Sequence, residues 1–275
     1  MARADISALE VILEECPVLV VGRSLQTQCL LCGEEEGLDS PLSPVCPGCD
    51  CCVCPACQSL HTAECLLLAR ALQLGLQLSP EIILTLRLVR LSKQGGELWH
   101  HIGKTVTTGS CLVTALTLAF YPDKMMDHVE ERKKDAREWS AVQEKVIHVL
   151  QKILAEDDIC ESFLHKLYGI ICTNSVTVEG RLCLYPVLSM INHSCVANSC
   201  YTFNTETNSV ILRAKRRLEA GEEITVCYTD PWAGQPHRRE KLSRTWYFHC
   251  RSVWGCLEVA GQFSALSFSQ LSSLL

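Results

Sequence analysis

The sequence has no long uninterrupted hydrophobic run. Its most apolar stretches, residues 66–78 and 111–120, are shorter than the roughly 20 residues that a membrane-spanning helix needs, and the first contains Arg70. The opening residues include Arg3, Asp5 and several glutamates, which does not fit the apolar centre of a secretory signal. We therefore expect no membrane partner and an intracellular protein, located in the nucleus, the cytoplasm or both.

An excess of positive charge is also missing. Lysine and arginine number 25 against 31 aspartates and glutamates, giving a formal net charge of −6. Proteins that bind nucleic acid through their whole surface are usually basic, and the single stretch Lys215–Arg217 is too short to reverse the balance. Nucleic acid is therefore not an expected partner.

Cysteine, by contrast, is abundant: the chain has 19, of which nine lie between Cys29 and Cys65. In a reducing compartment such a cluster indicates metal binding and not a disulfide framework. Eight residues of this segment form four consecutive ligand pairs, Cys29 and Cys32, Cys46 and Cys49, Cys54 and Cys57, His61 and Cys65.

Eight such ligands are enough for two closed tetrahedral zinc sites, which are structural because they leave no position for a substrate. The spacing alone leaves open whether consecutive or alternate pairs share a zinc ion. Cys51 and Cys52 lie between ligand pairs and are surplus to two four-ligand sites.

The remaining sequence favours an α+β fold. Helical periodicity is predicted over residues 64–78, 81–91 and 132–154, with Pro80 interrupting the first two. From Thr173 onward the chain changes to short pieces rich in β-branched residues. Two of these, residues 210–214 and 223–228, are predicted strands, and residues 204–208 are predicted to form a hairpin loop.

Two further segments carry an unusual concentration of polar residues. The first includes Asn192-His193-Ser194-Cys195 and ends at Asn198, and the second runs from Ala220 to Asp230 and contains Tyr228. Together they resemble the two hallmark motifs of the SET domain. With the preceding cysteine cluster, they resemble the SET and MYND family of protein-lysine methyltransferases, and the short finger spacing and residues 246–248 look most like its arthropod branch.

The resemblance implies a SET fold of small β-sheets that is interrupted by a MYND-type zinc finger and a helical insert. It divides the chain into truncated first SET strands (1–28), finger (29–65), helical linker and SET insert (66–172), SET core (173–249), and a degenerate post-SET segment with a tail (250–275). Within the finger it implies crossed pairing of the ligands. Cys29, Cys32, Cys54 and Cys57 would hold one zinc ion, and Cys46, Cys49, His61 and Cys65 the other.

The resemblance also implies a cofactor, S-adenosylmethionine, and a substrate, a lysine on a protein or peptide. Asn192 and His193 would bind the cofactor, Asn174 would face the cofactor or the lysine channel, and Phe248 would pack against the adenine with Trp246 beside it. Tyr228 would be the catalytic tyrosine beside the reacting methyl group. The rival function is a catalytically silent adaptor in transcriptional regulation, whose finger binds a partner protein.

Three departures from the family pattern lead us to expect weak or absent activity for this chain. The glycine-rich segment usual before the first strand is not in the sequence, which with the atypical tail suggests truncation at both ends. A third zinc site would use Cys195, Cys250 and Cys256, but Cys256 is one residue late, so this site is expected to distort or lose ligands. Ala197 replaces a proline of the first motif, which loosens a turn.

Overall fold

The structure is a computed structural model. It describes residues 1–24, 27–33, 45–93, 105–106, 125–155, 159–204 and 207–250.

In the described residues, nine short strands form three small sheets. The strands are β1 (Val11–Glu15), β2 (Leu19–Gly22), β3 (Thr105–Val106), β4 (Ser175–Val178), β5 (Arg181–Leu184), β6 (Asn192–His193), β7 (Ser199–Asn204), β8 (Ser209–Ala214) and β9 (Thr225–Val226). A four-stranded sheet has the order β3-β1-β8-β7 and a three-stranded sheet the order β2-β5-β4, all antiparallel, while β6 and β9 form a parallel pair.

Most of the described helices lie between β2 and β4, and the last one follows β9. They are α1 (Gln58–Gln73), α2 (Pro80–Lys93), α3 (Val129–Arg132), α4 (Ala136–Val142), α5 (His148–Ile153), α6 (Glu161–Asn174) and α7 (Gln235–Thr245). A π-helical segment, Gln143–Ile147, joins α4 to α5, and 3-10 turns lie at Pro55–Cys57 and Leu188–Met190. The part of the chain that the structure describes contains no helix with the length and apolar character needed to cross a bilayer.

The predicted α+β class is confirmed, although the bounds of some helices and strands differ from the prediction. The hairpin joins β7 to β8, with Asn204 paired to Ser209. The helix expected from residue 64 begins earlier, at Gln58, and it ends at Gln73, where Gly75 takes a positive φ of 62°. The strand expected over 223–228 shrinks to Thr225–Val226, because its only ladder partner among the described residues is the two-residue β6.

The cysteine-rich segment shares one hydrophobic core with the helices and the three-stranded sheet. Cys49 and Val53 of that segment belong to the same buried cluster as Leu84 of α2, Leu150 of α5 and Leu184 of β5. Because burial of apolar area is the main stabilising term in folding, the finger is part of the folded body and is not attached to it by a flexible linker.

Candidate functional site

The structure brings the eight predicted finger ligands together in two groups of four. The first group contains Cys29, Cys32, Cys54 and Cys57, and the second contains Cys46, Cys49, His61 and Cys65. Within each group the ligand atoms all lie within 4.8 Å of one another. The pairs are crossed: the first joins the third, and the second joins the fourth, so the arrangement is not sequential.

These distances suit zinc. With Zn–S bonds near 2.3 Å, two sulfurs of a tetrahedron are about 3.8 Å apart. The Sγ atoms of Cys32 and Cys54 are 3.8 Å apart, and those of Cys46 and Cys65 are 3.6 Å apart. His61 Nε2 lies 3.3 Å from the Sγ of Cys49. Four thiols, or three thiols with one imidazole, are the donor sets of closed structural zinc sites.

The two surplus cysteines lie outside these groups. Cys51 and Cys52 are both buried, and the Sγ of Cys51 points to the carbonyl oxygen of Cys49 at 3.6 Å. Because two complete groups of four form without them, this placement fits the surplus role expected for both residues.

A second feature is a cavity of about 840 Å³ between α6, the 3-10 turn Leu188–Met190 and the residues that end α7. A volume of this size is within the range of small-molecule and cofactor sites. Five of the residues predicted to handle cofactor or substrate line it: Asn174, Asn192, Tyr228, Trp246 and Phe248.

The aromatic side of the cavity is formed by the rings of Tyr228, Trp246 and Phe248, with His193 packed against Tyr228 from behind. The Tyr228 ring is 5.0 Å from Trp246, 5.2 Å from His193 and 6.4 Å from Phe248, measured between centroids. Trp246 is fixed by a hydrogen bond from its Nε1 to the carbonyl oxygen of Thr173, at 3.0 Å. Such ring faces attract a cation, since the quadrupole of an aromatic ring is negative on its face.

Tyr228 is held in one orientation and stays uncharged. Its hydroxyl donates to the carbonyl oxygen of Ile191 at 2.5 Å. Burial, with a smaller contribution from Tyr201, raises the pKa of Tyr228 to about 12. The site therefore presents a neutral phenol at physiological pH, bound to a backbone carbonyl.

His193 packs behind these rings and is not among the described residues that line the cavity. Both of its ring nitrogens face other atoms of the protein. The backbone N–H of Tyr228 donates to His193 Nδ1 at 2.9 Å, so in the neutral ring the proton sits on Nε2. Burial, and then the charge of Arg238, lower the pKa of His193 to about 4. The side chain is thus neutral and positions the segment after β9 that carries Tyr228.

The two predicted asparagines tie separate segments to the cavity wall. Asn174, the last residue of α6, donates through Nδ2 to the carbonyl oxygens of Met126 (2.9 Å) and Ile170 (2.8 Å). Asn192 donates through Nδ2 to Glu223 Oε1 at 2.6 Å. Both residues line the cavity, where they also offer polar groups to a bound molecule.

The two sequence motifs are adjacent in space. Asn192 and His193 pair in parallel with Thr225 and Val226. Asn198, at the end of the first motif, donates to the carbonyl oxygen of Glu223 at 2.8 Å and accepts from the Thr225 N–H at 2.9 Å. The side-chain hydrogen bonds of Asn198 therefore hold the second motif against the first.

Two of the three cysteines expected to form the third zinc site lie in the described residues. Cys195 and Cys250 lie close to His193, with the three ligand atoms within 4.8 Å of one another, whereas Cys256 lies outside the described residues. The tautomer set by Tyr228 puts a proton on His193 Nε2, which faces Cys195 Sγ at 3.3 Å. That proton makes His193 a donor to the sulfur and excludes it, in this arrangement, from acting as a metal ligand.

Comparison with known proteins agrees with these features. A family model described as "SET domain" matches residues 1–229. The chain belongs to the SET domain family.

Similar proteins carry the SMYD name. Histone-lysine N-methyltransferase SMYD3 of Mus musculus is 40% identical over 95 residues, which are 34% of this chain and 20% of that protein. The Homo sapiens SMYD3 is 39% identical over 92 residues, 34% of this chain and 19% of the relative. Protein-lysine N-methyltransferase SMYD4 of Mus musculus is 35% identical over 83 residues, 30% of this chain and 10% of the relative.

The family predicted from the sequence motifs is thereby confirmed, and so is the SET fold. The chain matches at most a fifth of the length of the SMYD3 proteins.

Sequence reasoning missed several residues on the cavity wall of this SET domain, among them His128, Tyr201 and Tyr247. His128 and Tyr247 both have positive φ angles, 53° and 57°, and their rings are 5.1 Å apart. One feature of the sequence could have identified Tyr247, namely its position between Trp246 and Phe248. No such feature identifies His128, because its approach to Tyr247 depends on the packing of segments more than 100 positions apart.

Proposed function

We propose that this SET domain binds S-adenosylmethionine in the 840 Å³ cavity and transfers its methyl group to a lysine of a protein substrate. One observation carries the proposal. Aromatic residues and asparagines from four separate parts of the chain line the same cavity, in a family whose matched relatives are named as lysine methyltransferases.

The lining has the chemical character that this reaction requires. When bound, S-adenosylmethionine supplies an electrophilic methyl group on a positively charged sulfonium. The faces of Tyr228, Trp246 and Phe248 can stabilise that charge and orient the ligand, and Asn174 and Asn192 can hydrogen-bond its polar groups. Methyl transfer to an amine is an in-line displacement, so much of the rate enhancement comes from holding the two reactants in position.

The lysine must lose its proton before attack. Tyr228 and His193 are both neutral at pH 7, since burial holds the pKa of Tyr228 at about 12 and lowers that of His193 to about 4. Neither side chain is therefore an anionic base that could take the proton of the lysine. An aromatic wall poor in water disfavours the ammonium form of the lysine and so promotes its deprotonation. The hydroxyl of Tyr228 can then orient the neutral amine.

The two groups of ligands in the finger would each hold a structural zinc ion. Their donor sets and spacings fit this metal, and their residues contribute to the main hydrophobic core. The finger therefore stabilises the fold, and the methyl-transfer chemistry lies in the cavity. Histones are the first substrates to test, because the SMYD3 relatives are named for them.

The test is calorimetric titration of the zinc-loaded 275-residue chain with S-adenosylmethionine. We expect binding in the micromolar range that is lost in Trp246→Ala, which removes a wall of the cavity. Trp232→Ala is the matched control, because Trp232 is 62% exposed and does not line the cavity. Absence of binding to the wild-type chain would contradict the proposal and favour the adaptor function.

A second assay separates binding from chemistry. Tyr228→Phe keeps the ring but removes the hydroxyl that donates to Ile191. We expect nearly unchanged cofactor affinity and a rate of radiolabelled methyl transfer to core histones that is about 100-fold lower. Any transfer by the wild-type chain is expected to be slow, because Ala197 replaces a proline of the first motif and Cys256 is displaced by one residue from the position expected for the third zinc site. An unchanged rate in Tyr228→Phe would exclude Tyr228 from the reaction.

A further inference from the structure

His61, a member of the second ligand group, has a nitrogen that its predicted metal role does not use. The side chain is 3% exposed and its Nε2 faces the Cys49 sulfur at 3.3 Å. Among the described residues, Nδ1 has no hydrogen-bond partner. If Nε2 binds zinc, Nδ1 must carry the proton, and a buried N–H without an acceptor is destabilising.

The carboxylate of Glu64 is in position to accept that proton. Glu64 follows His61 by three residues on α1, so both side chains project from the same face of the helix. Its Oε1 lies 3.8 Å from His61 Nδ1, and its exposure is 6%. This separation is just beyond hydrogen-bond range. Zinc on Nε2 would make Nδ1–H a stronger donor to this carboxylate.

Arg87 of α2 holds the carboxylate in place. Its Nε donates to Glu64 Oε2 at 2.7 Å and its Nη2 to Glu64 Oε1 at 2.8 Å, a two-point contact that fixes the plane of the carboxylate. The same guanidinium donates to the carbonyl oxygens of Val20 in β2 and Leu30, which lies between Cys29 and Cys32. Arg87 thus joins β2 of the three-stranded sheet to both metal-ligand groups.

We propose that Glu64 is the positioning residue for His61, fixing its tautomer and ring orientation for zinc, and that Arg87 holds Glu64 in that role. The inference rests on the proposed zinc sites but not on methyltransferase activity. It is specific for one site, because the other group consists of four cysteines and has no imidazole to orient. Loss of such a partner typically lowers metal affinity 10- to 100-fold.

The experiment compares the two metal sites within one molecule. The full chain, wild type or Glu64→Gln, is loaded with ¹¹³Cd, since a four-thiolate site and a three-thiolate–imidazole site give separate resonances. Release of zinc to a chromophoric chelator is timed in parallel. Glu144→Gln is the matched control, because this carboxylate is exposed on a different helical segment.

We expect Glu64→Gln to shift the resonance of the three-thiolate–imidazole site and to release one of two zinc ions about 10- to 100-fold faster. The four-thiolate resonance and the control should match the wild type. Should Glu64→Gln not fold, Glu64→Asp keeps the charge beside Arg87 but draws the carboxylate away from His61, and the same selective change is expected.

Wild-type behaviour of both sites in these variants would overturn the proposal. Equal acceleration at both sites would overturn it too, because a general loss of stability does not distinguish between them. A wild-type chain that binds fewer than two metal ions would instead refute the zinc sites themselves.

Discussion

Glu15, at the end of β1, carries a buried carboxylate whose ionisation opposes folding. Its side chain lies 2% exposed, and its two oxygens accept the backbone N–H groups of Val187 (2.8 Å) and Leu188 (2.9 Å) at the start of the 3-10 turn beside the cavity. Burial raises its pKa from 4.5 to about 7, although both hydrogen bonds act in the opposite direction.

The sign follows from linkage between protonation and folding. The pKa of Glu15 is higher in the folded state than in the unfolded chain. The contribution of this residue to the free energy of unfolding is therefore fully present below pH 4.5 and is lost as the pH rises through about 7. At 1.36 kcal/mol per pKa unit, the loss between pH 5 and 8 is about 2.5 kcal/mol. Glu15→Gln cannot ionise and should not show this loss.

The assay is urea unfolding of the zinc-loaded wild type and Glu15→Gln at several pH values from 5 to 8. Zinc release at low pH affects both proteins, so it cancels in the difference between their free energies of unfolding. We expect that difference to move by about 2.5 kcal/mol in favour of Glu15→Gln as the pH rises. Parallel curves, with a constant difference, would refute the reasoning. Glu144→Gln, with an exposed carboxylate, should parallel the wild type.

Three further predictions concern stability. Gly33 and Gly75 both have positive φ, but a Cβ on Gly33 would lie 2.4 Å from Arg181 Cγ whereas one on Gly75 meets nothing within 4 Å. Urea unfolding should therefore show that the free energy of unfolding falls by about 3 kcal/mol in Gly33→Ala and by about 1 kcal/mol in Gly75→Ala. Equal decreases would argue against a clash between the added Cβ and Arg181. Asn198→Ala should lower the free energy of unfolding by about 2 kcal/mol in the same assay, because it leaves the partly buried Thr225 N–H without its acceptor; an unchanged free energy would show that Asn198 does not hold the two motifs together. A strong chelator should lower the midpoint of thermal unfolding of the whole chain by circular dichroism, since the finger shares the main core; an unchanged midpoint would mean that the finger folds separately.

Much of this fold could be predicted from local pattern. The hairpin between β7 and β8 follows from alternating residues on either side of an asparagine-containing turn, a signal contained within about a dozen positions. The helix predicted over residues 132–154 follows in the same way from apolar residues at three- and four-residue steps. The structure interrupts it at residues 133–135 and places a π-helical segment at Gln143–Ile147, neither of which these steps indicate.

The candidate site was predictable where a known motif carried it. Asn192, Tyr228, Trp246 and Phe248 were named from the resemblance and line one cavity. His193 was named with them as a cofactor residue, yet its ring nitrogens contact the Tyr228 N–H and the Cys195 sulfur. The direction of a side chain depends on which backbone groups surround it, and one sequence does not contain that information.

The sequence by itself identified the candidate metal ligands and the family, because closely spaced ligand pairs and short motifs are properties of neighbouring positions. Only the tertiary structure decided that alternate pairs come together, that Glu64 faces His61 under Arg87, and that Glu15 is buried beneath the turn at Val187. Glu15 and Val187 are separated by 172 positions. Contacts of that kind form when the sheets and helices bury a common core, and no local pattern of charge or hydrophobicity specifies them.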